Sequence, residues 1–159
     1  MKKIKSERGQ SLVELAISLV IILFLLAGAV EFGIALFQFI QLRDAAQEGA
    51  LYGSICPHDP AVNTKIEQRV RAASDTPLDL AISSGANAVN ITVEGRDTTS
   101  DNLKDWNLLT SGDGVYVEAS YDHAIFMPFA SLFMDSPLTI RASVTDTILD
   151  TDLSKVECQ

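Results

Sequence analysis

The 159-residue sequence has little positive charge. It contains 12 Lys and Arg against 21 Asp and Glu, and from Asp44 to the C-terminus 7 basic residues stand against 18 acidic ones, a net charge of −11. A nucleic-acid-binding protein needs a basic stripe that displaces counterions from phosphates. The sequence has no such stripe, so we expect no nucleic acid among its partners.

Sequence signatures of catalysis are also missing. The motifs G-x-S-x-G, H-E-x-x-H, G-x-x-x-x-G-K-[ST] and G-x-G-x-x-G do not occur, and there are only two histidines to act as a general base. His123 follows Asp122, but neighbouring residues of a strand point to opposite faces and cannot form a dyad. We therefore expect a protein that is not an enzyme and has no cofactor.

Metal sites receive little support from the sequence. Two histidines and two cysteines could complete a zinc site only with acidic ligands at unfavourable spacing. Two acidic clusters could ligate calcium but lack the D-x-[DN]-x-[DN]-G loop, which favours a solvated acidic surface. The clusters are Asp97, Asp101 and Asp105, and Asp146, Asp150, Asp152 and Glu157.

A long segment near the N-terminus has almost no charge. Between Arg8 and Arg43 there is no basic residue, and the acids are Glu14 and Glu31. About 20 apolar residues cross a hydrocarbon core, so this segment predicts a transmembrane helix. Residues 1–9 carry a net charge of +3, which favours a cytoplasmic N-terminus and an exported remainder. We expect a single-pass protein of the cytoplasmic membrane, whose exported part can reach the cell surface.

Two kinds of processing are compatible with this anchor. Ala27-Gly28-Ala29 has the small-x-small pattern of a secretory signal cleavage site. The sequence after that site stays apolar and helix-compatible for about another 25 residues, whereas a mature secreted protein usually turns polar there. The alternative is a leader that is cut before the apolar segment.

The sequence around Arg8-Gly9-Gln10 resembles the processing site of type IV pilins and pseudopilins. The resemblance implies that a prepilin peptidase cuts between Gly9 and Gln10 and makes Glu14 the fifth mature residue. It further implies that Glu14 pairs with the new N-terminal amine of a neighbouring subunit. A carboxylate deep in the hydrocarbon core costs up to about 3 kcal/mol, so it needs such a partner unless it is merely a tolerated interfacial acid.

The following segment narrows the resemblance. Glu31-Phe32-Gly33 and the stretch Ala45-Ala46-Gln47-Glu48-Gly49-Ala50-Leu51-Tyr52 resemble the TadE-like family, pseudopilins of the Tad (type IVc) pilus and secretion machinery. The resemblance covers residues 8–53. It implies a minor pilin that primes or joins a filament used in adhesion or secretion. Its partners would be a prepilin peptidase, other pilin subunits, and the platform and ATPase of the machinery. The alternative is a permanently anchored, exported binding module.

One face of the predicted helix is small and polar. Helical spacing places Glu31, Ala35 and Gln38 on it, and small residues let helices approach closely in lipid. We expect this face to act in filament assembly and not in the folding of the exported domain. Glu31 and Gln38 could instead simply mark the outer membrane interface. The full stripe is Gly28, Glu31, Ala35, Gln38, Gln41, Ala45 and Gly49.

The sequence predicts three parts: a leader at residues 1–9, a transmembrane and assembly helix at 10–54, and an exported α+β head at 55–159. Gly49 and Gly53, followed by Pro57, should end the helix near Ser54. In the head, a short helix over about 61–73 should cover a three- or four-stranded antiparallel sheet, because three runs alternate apolar and polar residues. The apolar connection between the last two runs should be buried or form a contact patch. The runs are Val89, Ile91 and Val93; Val115, Val117, Ala119 and Tyr121; and Ile140, Ala142 and Val144.

We predict processing between Gly9 and Gln10. Replacing Gly9 by a bulky residue should leave the full-length precursor in the membrane, because the cut is expected directly after this glycine. Mass spectrometry of the native N-terminus tests the prediction. A mature chain that begins at Val30, or an uncut chain in cells that have the peptidase, would contradict it.

We predict a disulfide between Cys56 and Cys158, the only two cysteines. Outside the cytoplasm an even pair favours a disulfide, and closing a loop of about 100 residues stabilises a fold by roughly 4.7 kcal/mol in the chain-entropy model. Peptide mapping without reductant should recover both cysteines in one cross-linked fragment. Two alkylatable thiols on the exported protein would rule the bond out.

Overall fold

The computed structural model describes residues 7–85, 87–97, 99–126 and 137–149. Its helices are α1 (Glu7–Ile55) and α2 (Val62–Ala72), and a short 3₁₀ turn covers Trp106–Leu108. Its strands are β1 (Val89–Arg96), β2 (Gly114–His123) and β3 (Leu138–Thr147). The predicted α+β fold, with a long N-terminal helix, a short second helix and an antiparallel sheet, is confirmed.

Helix α1, which we call the stem, runs unbroken for 49 residues. No proline occurs before Pro57, so nothing removes a backbone donor from the helix. The stem ends at Ile55, one residue beyond the predicted end. Gly49 and Gly53 do not end it as expected, because both lie inside the helix. Their role is in packing.

The three strands form one antiparallel sheet in the order β1-β2-β3. Val89 pairs with Tyr121, and Tyr121 pairs with Ile140, so the apolar positions of the three strands fall on one face. This face packs against the stem and α2 and forms the core of the part that we call the head, residues 56–149. The predicted alternation is confirmed most clearly in β2, where four apolar residues are buried: Val115, Val117, Ala119 and Tyr121.

Helix α2 lies antiparallel to the stem, and two stem glycines make the approach possible. A Cβ atom added to Gly49 would lie 2.5 Å from Cγ2 of Val70, and one added to Gly53 would lie 2.7 Å from both Cδ1 of Ile66 and Cγ1 of Val115. Real Cβ atoms do not approach other carbons this closely. The absence of side chains at these two positions therefore sets the distance between stem and head.

The connection from β1 to β2 is held to the head by one aromatic residue and one carboxylate. Trp106 packs against the core and Leu109 is buried, whereas Leu108, between them, is 63% exposed. Asp113 accepts hydrogen bonds from Nζ of Lys104 and from the backbone N–H of Thr110, both at 2.7 Å. The Lys104 ammonium lowers the pKa of Asp113, so this carboxylate stays ionised at neutral pH.

Gly53→Ala should lower the thermal unfolding temperature of the head, because the new methyl group would overlap Ile66 and Val115. Overpacking of this kind costs about 1–3 kcal/mol, which exceeds the gain of up to about 1 kcal/mol from replacing glycine by alanine in a helix. Gly33→Ala is the matched control, since nothing lies within 4 Å of a Cβ atom there. Circular dichroism in detergent micelles measures both. Equal unfolding temperatures for the two variants would show that the close approach at Gly53 is unimportant.

Candidate functional site

The N-terminal half of the stem is a membrane-spanning segment by length and composition. Within the described residues one helix, Gly9–Ile55, is long and apolar enough to cross a membrane, and its most apolar 18-residue window has a mean hydropathy of 2.7. None of that window is buried by the rest of the chain. The core helix of a soluble protein would be largely covered. The stem is therefore consistent with a single-pass membrane anchor.

The two acids of the stem lie at opposite ends of this apolar segment. Glu14 and Glu31 are 17 residues apart, which corresponds to about 26 Å along a helix and is close to the thickness of a hydrocarbon core. Glu14 is exposed, as are Gly9 and Gln10, which both lie within the stem helix. Processing at Gly9 and pairing of Glu14 with a neighbouring amine stay predictions.

Glu31 holds the head to the stem. Its Oε1 atom lies 2.8 Å from Nε2 of His123 and accepts a hydrogen bond of 3.2 Å from the backbone N–H of Phe126. The side chains of Glu31 and His123 are only 15% and 3% exposed. Hydrogen bonds to a carboxylate strengthen when water is excluded. This cluster connects the end of β2 to the stem at the end of the apolar segment that is nearer the head.

Asp122, the neighbour of His123, takes no part in this cluster. It is exposed and accepts a hydrogen bond of 2.7 Å from the Thr139 hydroxyl on β3. The prediction that the side chains of Asp122 and His123 point to opposite faces of the strand is confirmed. His123 has its acidic partner 92 positions away in the sequence, on the stem.

Two glutamines continue the same face of the stem. Gln41 donates from Nε2 to the backbone oxygen of Leu78 at 2.7 Å and accepts at Oε1 from the backbone N–H of Leu78 at 3.3 Å. It thereby fixes the loop after α2. Gln38 is 8% exposed, and its Oε1 atom has no hydrogen-bond partner among the described residues.

The small and polar stripe of the stem therefore faces the head of the same chain. Ala35 packs against the core, and Ala45 is 1% exposed. We expected Glu31, Ala35 and Gln38 to act in assembly and not in the folding of the head, and the structure places all three against the head. A role of these residues in assembly stays a prediction. Sequence patterning missed the contact because a helix face of small residues fits a helix of another subunit and a domain of its own chain equally well.

The stretch of the stem that resembles the TadE-like motif forms the deepest part of this contact. Its apolar and small residues recur at helical spacing and are buried under α2 and the sheet, while the acids and amides between them are exposed. This periodicity is visible in the sequence and could have indicated a buried face. The buried residues from Leu42 to Gly53 are Leu42, Ala45, Ala46, Gly49, Ala50, Tyr52 and Gly53.

The other polar residues considered from sequence form no common site. His58 Nδ1 lies 3.1 Å from the backbone oxygen of Trp106. Asp59 pairs with Lys65 at 2.7 Å, which lowers the pKa of this carboxyl group. Asp146 lies within 3.3 Å of the Ser54 hydroxyl, which donates to it. Within the ranges that the structure describes, no group of three or more His, Cys, Asp or Glu residues could hold a metal ion.

Several expectations concern residues outside the described part of the chain. Cys56 is buried, but Cys158 lies outside the described residues, so their pairing stays a prediction. The same holds for Asp150, Asp152 and Glu157 of the second acidic cluster. Most of the apolar connection between β2 and β3, residues 127–136, is also outside. Phe126, the described residue that precedes it, is 81% exposed, so of the two expectations, burial or a contact patch, burial does not hold at this position.

We predict that Glu31 and His123 stabilise the head as a coupled pair. Glu31→Ala and His123→Ala should each lower the unfolding temperature, and the double variant should lose less than the sum, with a coupling energy of about 1–2 kcal/mol. Thermal unfolding of all four proteins in micelles measures it. Glu14→Ala is the control and should leave unfolding unchanged, because Glu14 is far from the head. Strictly additive losses would show that the 2.8 Å contact contributes nothing.

Comparison with known proteins gives one match. No curated protein and no solved structure matches the chain. Residues 9–51, which include the apolar segment and most of the buried stretch of the stem, match the family model described as TadE-like protein.

Proposed function

We propose that the chain is a TadE-like minor pilin, a pseudopilin that primes or joins a Tad-type pilus or secretion filament after cleavage by a prepilin peptidase. The observation that carries the proposal is the family match over residues 9–51. The unbroken helix supports it, since one helix both crosses the membrane by length and composition and continues into the head. The proposal includes no catalytic step and no cofactor.

The proposed partners follow from this role. They are the prepilin peptidase, other pilin subunits, and the platform and ATPase of the Tad machinery. The basic residues 1–9 favour a cytoplasmic N-terminus, which exposes Gly9 to the peptidase on that side and exports the head. Subunits would be stored in the membrane through the stem and then packed together through the same helix.

The head restricts which face of the stem a partner helix can reach. The face with Glu31, Ala35 and Gln38 is covered by the head, so these residues would influence assembly through the position of the head. The opposite face is open, and charged and amide residues are exposed along its middle: Arg43, Asp44, Gln47 and Glu48. Apolar residues are exposed on it before and after this stretch, at Leu36, Phe37, Ile40, Leu51 and Ile55. Apolar side chains on the open side of a helix outside the lipid are expected to bind a partner. We therefore place the contact with neighbouring stems on this open face.

Ile40→Lys should prevent entry into filaments without unfolding the head, because Ile40 is 46% exposed and the charge would fall between packed helices. Glu14→Ala should also fail to assemble if its carboxylate pairs with the amine of processed Gln10. Leu103→Lys is the matched control, since Leu103 is 71% exposed and lies on the head. Immunoblots of sheared filaments measure incorporation, and N-terminal mass spectrometry verifies normal processing.

Filaments that contain Ile40→Lys and Glu14→Ala at the level of the control would contradict the proposal. The stem would then be only an anchor, and the acidic head would act as a permanently anchored binding module. Loss of processing in either variant would instead place the defect before assembly.

A further inference from the structure

The structure shows which end of the head lies nearest the apolar segment of the stem. Both β2 at His123 and β3 at Leu138 meet at one end of the sheet, where these two residues pair. The Glu31 cluster attaches this end to the stem. At the other end Ser54 contacts Asp146, 23 residues further along the stem, or about 35 Å along a helix. The strands therefore run along the stem. We call the His123 end of the head, which is nearer the apolar segment of the stem, the lower end and the opposite end the upper end.

The distribution of charge along the stem places its exit from the lipid at Glu31. Residues 15–30 contain no charged side chain, and Glu31 is the first charge after them. Because the backbone N–H of Phe126 is bound to the Glu31 carboxylate, the residue must lie at the same depth as this exit point. The head cannot move away from the bilayer without breaking the cluster or bending the helix.

Two apolar side chains are exposed at this end of the head, next to the Glu31 cluster. Phe126 is 81% exposed and Leu138 is 38% exposed. Aromatic side chains at the level of the headgroups are typical of membrane interfaces. Asp122 is exposed at the same end, and the head as a whole is strongly acidic, so attraction to anionic lipids cannot explain contact here.

We propose that the His123 end of the head lies on the exported surface of the bilayer and inserts Phe126 into its interfacial layer. The occupant of this apolar surface is lipid of the same membrane that holds the stem. The distance between Phe126 and the bilayer is set by the stem of the same chain, so no second protein is needed to bring them together. The proposal requires only that the stem spans a membrane and is independent of a role in a pilus.

The experiment uses the full chain with a single tryptophan. Trp106→Phe removes the only native tryptophan, and Phe126→Trp or Leu138→Trp then places one at the lower end of the head. Leu103→Trp is the matched control, because Leu103 is exposed and pairs with Arg96 at the upper end, where Arg96 meets Gly114. Each protein is reconstituted into phosphatidylcholine vesicles whose acyl chains carry bromine near the headgroup, which quenches tryptophan in the interface.

Tryptophan at positions 126 and 138 should be blue-shifted and should lose emission in brominated vesicles, while tryptophan at 103 should lose none. The quenching should persist at high salt and at one protein copy per vesicle. Equal emission at all three positions with and without bromine would overturn the proposal. So would a blue shift at 126 that appears only at high protein density and without quenching, which would identify a second copy as the occupant. Flotation with the vesicles, measured separately, reports whether the stem itself is anchored.

Discussion

The whole structure depends on the continuity of one helix. The stem is apolar on all sides along its candidate membrane span, and further along it packs one face against the head. No turn separates the two regions. The head is consequently located by the residues of the stem that it contacts, and its distance from the membrane is determined by the rise of the helix.

Small residues make this arrangement possible. Ala45, Ala46 and Ala50 are buried with almost no exposed surface, and Gly49 and Gly53 leave no space for a methyl group. Larger side chains at these positions would hold α2 and β2 away from the stem and remove the contacts of Ile66 and Val70. The stretch that resembles the TadE-like motif therefore has a structural purpose in this chain, which is to let a long helix serve as part of the head's core.

Polar residues in the same contact give it a defined register. Glu31 binds the end of β2 through His123, and Gln41 binds the loop at Leu78 through both of its amide atoms. Sliding the head by one helical turn would leave these groups buried without partners, which costs about 1–3 kcal/mol for each neutral group and more for a charged one. Gln38 already carries one such unpaired oxygen among the described residues. The contact between stem and head therefore combines close apolar packing with polar contacts that form in one register only.

The sequence by itself determined the elements of this protein. The absence of charge from residue 15 to residue 30 requires a lipid-facing helix, Pro57 prevents that helix from continuing, and the alternation in Val115, Val117 and Ala119 requires a sheet with one buried face. Motif spacing around Gly9 and Gly49 also indicated the resemblance to the TadE-like family. These are local properties, because each depends on residues within a few turns of one another.

Only the tertiary structure decided which surfaces of the helices and strands contact one another. The stripe through Glu31, Ala35 and Gln38 and the lone His123 are 90 or so positions apart, and nothing local to either shows that they meet. A helix face of small and polar residues satisfies the same packing rules against a neighbouring subunit as against its own head. The exposed position of Phe126 was hidden for the same reason, since burial depends on which surfaces the fold brings together and not on the polarity of one residue.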